Sequence, residues 1–244
     1  MPRFFTPTDG ISEDEIRIVG EDARHIARSL RMAEGDVITV CDMQGNEHTC
    51  TLTRIRDEEC VCRIDSTREG ITESPVDITL FVAYPKGDKL EVVVQKAVEL
   101  GASRIVPFES SRCIKRPSPE KAEKNTARLG RIAEEAAKQC GRSKLPTVSA
   151  PISYKAAIAE AARADLPLFC YEGDGTRSMK TLLEESEAVK TVSVVVGCEG
   201  GFSLDEAHHA EECGMRMCGL GRRILRCETA PSYALAALSY YFEL

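Results

Sequence analysis

Long apolar runs are missing from this chain. Nowhere in its 244 residues is there a stretch approaching the roughly 18–20 consecutive apolar residues of a membrane-spanning helix. The opening, MPRFFTPTDG, has no apolar secretion-signal core, so a soluble chain with no membrane partner is expected. A G-x-G-x-x-G dinucleotide fingerprint is also absent. The nearest segment, Gly197-Cys198-Glu199-Gly200-Gly201, has the wrong spacing and follows a late strand. With no Walker A sequence, phosphoryl transfer is disfavoured. No serine lies in a nucleophile-elbow context, and no cysteine has a nearby sequence partner, so covalent catalysis has no support. His48 with Cys50, and Cys60 with Cys62, are each spaced i, i+2. Neighbouring strands could bring these four to one face, but neither pair has the C-x₂₋₄-C spacing of structural zinc sites. They read as buried thiols, and no metal is expected. The Cys213–Cys218 and His208-His209 pairs read as structural or exposed.

What is present starts with eleven cysteines. Without a secretion signal these are most simply reduced thiols in a cytoplasm. The net charge is −7, yet residues 101–145 hold eleven Lys and Arg against five Glu. A basic island in an acidic chain suits a localised polyanion contact. Charge patterning alone leaves a solvated helix face as the alternative.

Residues 1–72 read as a small β-rich module. Val37 to Val40 is a strand candidate, Gly45-Asn46 a turn, and Cys50 to Ile55 and Cys60 to Ile64 alternating runs. Before them EDARHIARSLRMAEGD reads as a helix with Ile26, Ala27 and Leu30 inward and Arg24, Arg28 and Arg31 outward. The polar, turn-rich stretch from Arg68 to Pro75 places the domain boundary, giving 1–72 and 73–244. Beyond it strands alternate with helices, the pattern of βαβ units on a parallel sheet and hence an α/β fold. Strands are expected at Ile78–Tyr84, Arg104–Phe108, Leu166–Tyr171, Thr191–Val196 and Met215–Cys218. Asp88 with Glu91 should cap a helix that stops at Gly101. A longer helix spans about Pro119 to Cys140, and on it Arg128, Arg131, Lys138 and then Arg142 form one cationic stripe. The last helix, about Ala230 to Phe242, carries an apolar stripe of Ala234, Leu235, Leu238, Tyr241 and Phe242.

Two glycine-bearing loops stand out, each after a strand and each leading into a helix. In the first, Gly197, Gly200 and Gly201 precede Ser203 and Glu206, the capping-box spacing. The second, Gly219-Leu220-Gly221, runs into Arg222, Arg223, Arg226, Glu228 and Thr229. Glycines let backbone approach a ligand without Cβ interference, and charges at such loops suit a small-molecule pocket. Alternatively, Arg226 and Glu228 pair merely to brace the loop.

Several motifs occur together and in order. They are PRFF and HIARSLRMAEGD near the start, then KGDKLEVVVQKAVELGASRIVPF and EEAAKQCGRSKLP, then GCEGGFSLDE and GLGRRILRCETA. The ensemble resembles the SPOUT-superfamily methyltransferases that modify N3 of a specific uridine in small-subunit (16S) ribosomal RNA, and it covers nearly the whole chain. Cys198, Cys140 and Cys227 stand where that family has proline, serine and threonine. The resemblance implies a PUA-like β-barrel RNA-binding domain followed by a SPOUT α/β domain with a parallel sheet and a trefoil knot. It also implies S-adenosylmethionine as methyl donor, an obligate homodimer, and 16S ribosomal RNA or the small ribosomal subunit as partner. Other readings are a SPOUT enzyme acting on another RNA, a non-catalytic RNA-binding assembly factor, and a redox or metal sensor using the cysteines.

On that resemblance Val196, Gly197, Glu199, Gly201, Leu220, Gly221, Ile224, Leu225, Thr229 and Ala230 are expected to bind the cofactor. Uridine N3 is protonated at neutral pH, so a base, or a cation stabilising the uracilate, is needed. Arg226, Arg142 and Glu228 are the catalytic candidates, the base being left unassigned. Arg24, Arg28, Arg31, Arg128, Arg131 and Lys138 are expected to hold RNA phosphates.

Overall fold

The computed structural model describes residues 1–114 and 118–244; Lys115 and Arg116 of the basic island lie outside the described residues. The chain divides into two compact units, Met1–Glu73 with Ala137–Leu145, and Ser74–Ala136 with Pro146–Leu244.

In the first unit β1 (Arg3–Phe5), β2 (Glu15–Val19), β3 (Val37–Cys41), β4 (Asn46–Ile55) and β5 (Glu59–Glu69) form one sheet in the order β1-β3-β4-β5-β2. Only the β1–β3 pair is parallel. The β4–β5 register shifts twice, skipping Asp65 of β5 opposite Thr49/Cys50 and Thr53 of β4 between Leu52 and Arg54; such bulges bend a strand and increase its twist. Alternation along β2 buries Ile16 and Ile18 against Phe4, Ile38, Val40, Leu52 and the thiols Cys50, Cys60 and Cys62. Those cysteines pack as small apolar residues. His48 is buried, with Nδ1 2.8 Å from Thr67 Oγ1.

The helix expected around Ile26 differs from its sequence reading. A single turn, α1 (Glu21–Arg24), passes into a π-helical turn over His25–Ser29, and Arg31 has φ 51°. Widening the turn moves the inward positions to Ala23 and Ile26, and leaves Leu30 41% exposed. Arg24, Arg28 and Arg31 do face solvent.

The second unit is a parallel sheet of β6 (Asp77–Ala83), β7 (Arg104–Glu109), β8 (Thr147–Val148), β9 (Ile152–Ser153), β10 (Leu166–Cys170), β11 (Arg177–Ser178), β12 (Thr191–Val196) and β13 (Arg216–Gly219). Its order is β11-β13-β10-β12-β6-β7-β8, with β9 also on β7. Burial on both faces explains the nearly unbroken apolar runs of β10 and β12. Helix α2 (Lys89–Glu99) buries Leu90, Val93, Val94, Ala97 and Val98, as its 3.6-residue spacing demands. Gly101, at φ 89°, follows its end. Asp88 precedes α2 without a side-chain cap; its carbonyl accepts from Glu91 N at 3.0 Å instead.

Helix α3 runs over Pro119–Cys140, followed by α4 (Tyr154–Ala161), α5 (Met179–Glu184), α6 (Leu204–Glu212) and α7 (Thr229–Glu243). Among the described residues no helix is long and apolar enough to cross a membrane. The buried stripe of α7 starts earlier than its sequence suggests, with Ala230 and Pro231 before Ala234, Leu235 and Leu238. Tyr241 and Tyr233 are partly exposed and Tyr240 largely so.

Candidate active site

Within the second unit a cavity of about 510 Å³ opens at the carboxyl ends of β10, β12 and β13. Crevices at the carboxyl ends of strands are where open α/β sheets bind ligands. Its walls follow from how the chain leaves each strand. After β12 a tight turn closes with Gly201 N donating to Cys198 O at 2.9 Å. Gly201 takes φ +63°, and a Cβ there would lie 2.8 Å from Glu172 Oε1. A Cβ on Gly197 would lie 3.1 Å from Gly201 Cα, against backbone that cannot yield. The turn therefore needs both glycines for the physical reason their sequence context suggests. Phe202 anchors it by packing on Phe169 with ring centroids 4.3 Å apart. The capping box then starts α6: Ser203 Oγ accepts from Glu206 N at 3.2 Å, and Glu206 Oε2 accepts from Ser203 N at 3.0 Å. The same Glu206 carboxylate accepts from Ser111 N and Oγ, fixing the loop after β7 as well.

Nine of the ten residues read as cofactor-binding border this cavity. The first loop supplies Val196, Gly197, Glu199 and Gly201; the second supplies Leu220, Gly221, Ile224 and Leu225, and α7 adds Ala230. Thr229 does not, because it is the first residue of α7 and is exposed. Arg226 lies on the wall with 84% of its side chain exposed, and its Nη1 is 4.0 Å from Glu228 Oε1. So long a pair on so exposed a side chain is a weak brace.

The residue that sequence reasoning missed is Lys89. Its Nζ lies 3.0 Å from Glu199 Oε1, 3.4 Å from Glu228 Oε2 and 3.8 Å from Cys227 Sγ. The signal was available: Pro85-Lys86-Gly87-Asp88 is a loop following a strand, as the two glycine loops are. Glu172 and Thr176, after β10, were missed too, and no motif marks them.

Electrostatics set the carboxylates apart from ordinary ones. Burial opposes ionisation of Glu199. Hydrogen bonds from its own backbone, from Lys89 Nζ and from Lys86 N at 3.1 Å outweigh burial and hold the carboxyl below its usual range. Glu228 is held low by the Cys227 thiol, which donates at 3.2 Å, by its own backbone N–H, and by Lys89. Burial first, and the neighbouring carboxylates second, push Cys227 up to about 12, so it is a neutral donor where the resembled family has a hydroxyl. Glu199 above all raises the Lys89 ammonium, keeping it charged.

Other candidates lie elsewhere. Arg142 belongs to the first unit and is 4% exposed. Its Nη2 donates to Glu73 Oε2 at 2.6 Å, while Ser143 N and Lys144 N each donate to Glu73 Oε1 at 3.0 Å. A guanidinium so enclosed is held by Glu73, and Arg142 is not among the residues that line the cavity. The cationic stripe is likewise divided: Arg128 pairs with Glu91 at 2.9 Å on an exposed face, Arg131 is exposed, and Lys138 is mostly buried against Asp22 at 2.8 Å. Arg28 pairs with Asp57 at the surface. Among the described residues no group of three or more His, Cys, Asp and Glu is placed to hold a metal.

Comparison with known proteins agrees with this architecture. The profile of an RNA methyltransferase domain matches residues 72–239, and that of an RNA methyltransferase PUA domain matches residues 18–65. Ribosomal RNA small subunit methyltransferase E of Bacillus subtilis is 34% identical over 231 residues, 93% of this chain and 90% of that protein. The crystal structure of the Neisseria gonorrhoeae protein of that name, bound to S-adenosyl methionine, superposes with a TM-score of 0.88 at 31% identity. It covers 99% of this chain and 98% of that one. A Legionella pneumophila protein described as a methyltransferase, in complex with the same cofactor, gives 0.87 at 29%, covering 98% and 96%.

Proposed function

The chain belongs to the ribosomal RNA small subunit methyltransferase E family, and on that premise we propose that it methylates N3 of a specific uridine in 16S ribosomal RNA. It is an S-adenosylmethionine-dependent ribosomal RNA methyltransferase with a PUA module ahead of its parallel α/β sheet. The observation that carries the site assignment is the cavity walled by both glycine loops. Its volume falls within the roughly 300–1,000 Å³ of small-molecule pockets, and its glycine turn packs where a Cβ would meet Gly201, Phe202 or Glu172. Residues present therefore fit a nucleoside-sized ligand. We assign Val196, Gly197, Gly201, Leu220, Gly221, Leu225 and Ala230 to gripping adenosine by apolar contact and main-chain hydrogen bonds. Ile224 and Glu199 shape the rim; Thr229 starts the helix behind.

When bound, the cofactor supplies an electrophilic methyl group on a sulfonium. The protein's part is to align the uracil ring and to meet the charge that develops on it as N3 loses its proton. Glu199 and Glu228 are poorly suited to take that proton, since a general base works best with a pKa near the operating pH and both are held low. Arg226, open to the cavity, is assigned to stabilise the developing uracilate, with the proton passing to solvent. Glu228 then orients the loop that presents Arg226.

For RNA, exposed Arg24, Arg28, Arg31, Arg128 and Arg131 stay as phosphate contacts, joined by Arg222 and Arg223 at the cavity rim. Lys138, held by Asp22, contributes through packing instead. Residues 1–72 act as the RNA-binding module and 73–244 as the methyltransferase. The trefoil knot belongs to the same proposal, supported by a sheet in which later strands β12 and β13 flank β10. A homodimer is supported by Tyr233, Tyr240 and Tyr241, exposed along α7, and the ribosomal substrate argues for a cytoplasmic enzyme. The test is incubation of small ribosomal subunits with the enzyme and methyl-labelled cofactor, followed by primer extension. An N3-methyl group blocks base pairing, so one uridine-specific stop is expected. Label on ribose, or on another base, would overturn the assignment.

A further inference from the structure

Loops after β10, β12 and β13 border the cavity, and one side chain on α2 touches charges from two of them. Lys89 is the first residue of α2. A cation there faces the positive end of the helix dipole, the unfavourable end for it, so its place is not explained by helix stability. Its ammonium has three donors, and the structure spends them on groups of those two loops. Glu199, after β12, lies at 3.0 Å; Glu228, after β13, at 3.4 Å; and Cys227 Sγ at 3.8 Å. Glu199 also accepts from Lys86 N. Without the ammonium, two carboxylates would face one another across the cavity wall, with Arg226 at 4.0 Å from Glu228 as the nearest alternative cation. Arg222, Arg223 and Glu172 complete the charged rim.

We propose that Lys89 is a positioning residue that holds the two cofactor loops in a common register by binding Glu199 and Glu228 at once. The inference rests on the cavity being the S-adenosylmethionine site. Taken singly, exposed ion pairs are worth little to stability, so the effect is on the geometry of binding and not on folding. Lys89 also stabilises the charge of both carboxylates, and removing it raises the pH at which they protonate. Without it the ionised carboxylates repel one another at neutral pH, and their protonation at lower pH relieves that repulsion.

The test is calorimetric titration of S-adenosylmethionine into the wild-type chain and into Lys89→Met and Lys89→Arg, from pH 8 down to pH 5. Removing a coupling contact of this kind should weaken cofactor affinity roughly 3–30-fold. The loss in Lys89→Met should be largest at pH 8, where both carboxylates are charged, and should shrink as pH falls, with the thermal midpoint unchanged. Lys89→Arg should recover most of the affinity and the wild-type pH profile. A double-mutant cycle with Glu228→Gln should show non-additivity, because both changes break the same contact. Affinity and pH profile unaltered in Lys89→Met, or strictly additive effects in the cycle, would overturn the proposal while leaving the cavity assignment standing. A wild-type chain that does not bind the cofactor would overturn both.

Discussion

Arg142 and Arg226 look alike in sequence, each an arginine just after a glycine-containing or apolar run in a shared motif. Their surroundings oppose one another. Around Arg142, one carboxylate, Glu73, takes the guanidinium and two backbone N–H groups. The Arg142 carbonyl accepts from Arg3 Nη1 at 3.2 Å, and Arg3 in turn pairs with buried Glu47. Each of these contacts lies within the first unit. In the cavity of the second unit Arg226 is open, and Glu228 lies closer to Lys89 than to Arg226. A closed cluster stabilises a fold, whereas an open cation can answer charge that exists only during a reaction. Side-chain type does not separate the two; burial and partners do.

The largest expected effect tests the closed cluster. Arg142→Ala leaves the half-buried Glu73 carboxylate with backbone hydrogen bonds but no counter-charge, and breaking a buried pair costs up to about 3–5 kcal/mol. Urea unfolding of the variant should report that loss. Replacing both partners with apolar residues, Arg142→Met with Glu73→Leu, should recover most of it, because the buried charge disappears. Full stability in Arg142→Ala with turnover lost would return Arg142 to catalysis and dissolve the contrast.

Next in size is the open cation. Arg226→Ala should lower single-turnover methylation roughly 10²–10³-fold, or about 2.7–4 kcal/mol, the scale of one preorganised electrostatic donor. Cofactor affinity should be nearly unaltered. Raising the pH should restore part of the rate, since more uridine ionises unaided. If cofactor binding weakened instead and high pH rescued nothing, Arg226 would be a strut like Arg142.

Much of this was legible in the sequence, and the illegible part has a physical pattern. Periodicity located β12 and α2 because burial on a sheet or helix face imposes it. The Ser203–Glu206 capping box was legible because both partners lie within one turn. Nine residues that the family resemblance marks for the cofactor line one cavity, eight of them in the two glycine loops or at their edges. The π-helical turn at His25–Ser29 escaped, since one inserted residue changes which positions face inward without changing composition. Lys89 escaped because its partners, Glu199 and Glu228, are over a hundred positions away and meet it only once β6, β12 and β13 lie in one sheet. The Arg142–Glu73 pair escaped for the same reason: Glu73 belongs to a stretch that reads as a linker.

A smaller effect concerns acid. Burial opposes the ionisation of Glu73, yet Arg142 and the backbone N–H groups of Lys144 and Ser143 hold its carboxyl below the usual range. Its folded pKa is therefore depressed relative to the unfolded chain. The stabilisation is complete above the unfolded carboxylate range and is lost as pH falls through the folded value. Acid unfolding of the native chain should steepen in that window, and less so in the Arg142→Met/Glu73→Leu pair. The effect is smaller than that of Arg142→Ala because protonation removes a charge while the side chain still fills its space. Identical acid limbs in both proteins would mean that Glu73 carries no linkage.

The smallest expected effect divides the cationic stripe of α3. Arg128 pairs with Glu91 at 2.9 Å, but with 61% of its side chain exposed, and an exposed ion pair is worth about 0–1 kcal/mol. Arg128→Ala should therefore shift the urea midpoint very little, where Arg142→Ala shifts it strongly. Its consequence should show in RNA binding. If Arg128 and Arg131 touch phosphate, neutralising either should lower the slope of log affinity against log salt by roughly 0.7–0.9, one counterion per contact. Lys138 stands on the same stripe in sequence but is turned to Asp22 with 12% of its side chain exposed. Lys138→Met should leave the salt slope intact and lower stability instead. An equal fall in slope for Arg128→Ala and Lys138→Met would mean that the Asp22 pair opens when RNA binds, so burial in the free protein would not mark which cations RNA can recruit. No change for Arg128 or Arg131 would make their face of the helix merely solvated and shift the phosphate contacts to Arg222 and Arg223 beside the cavity.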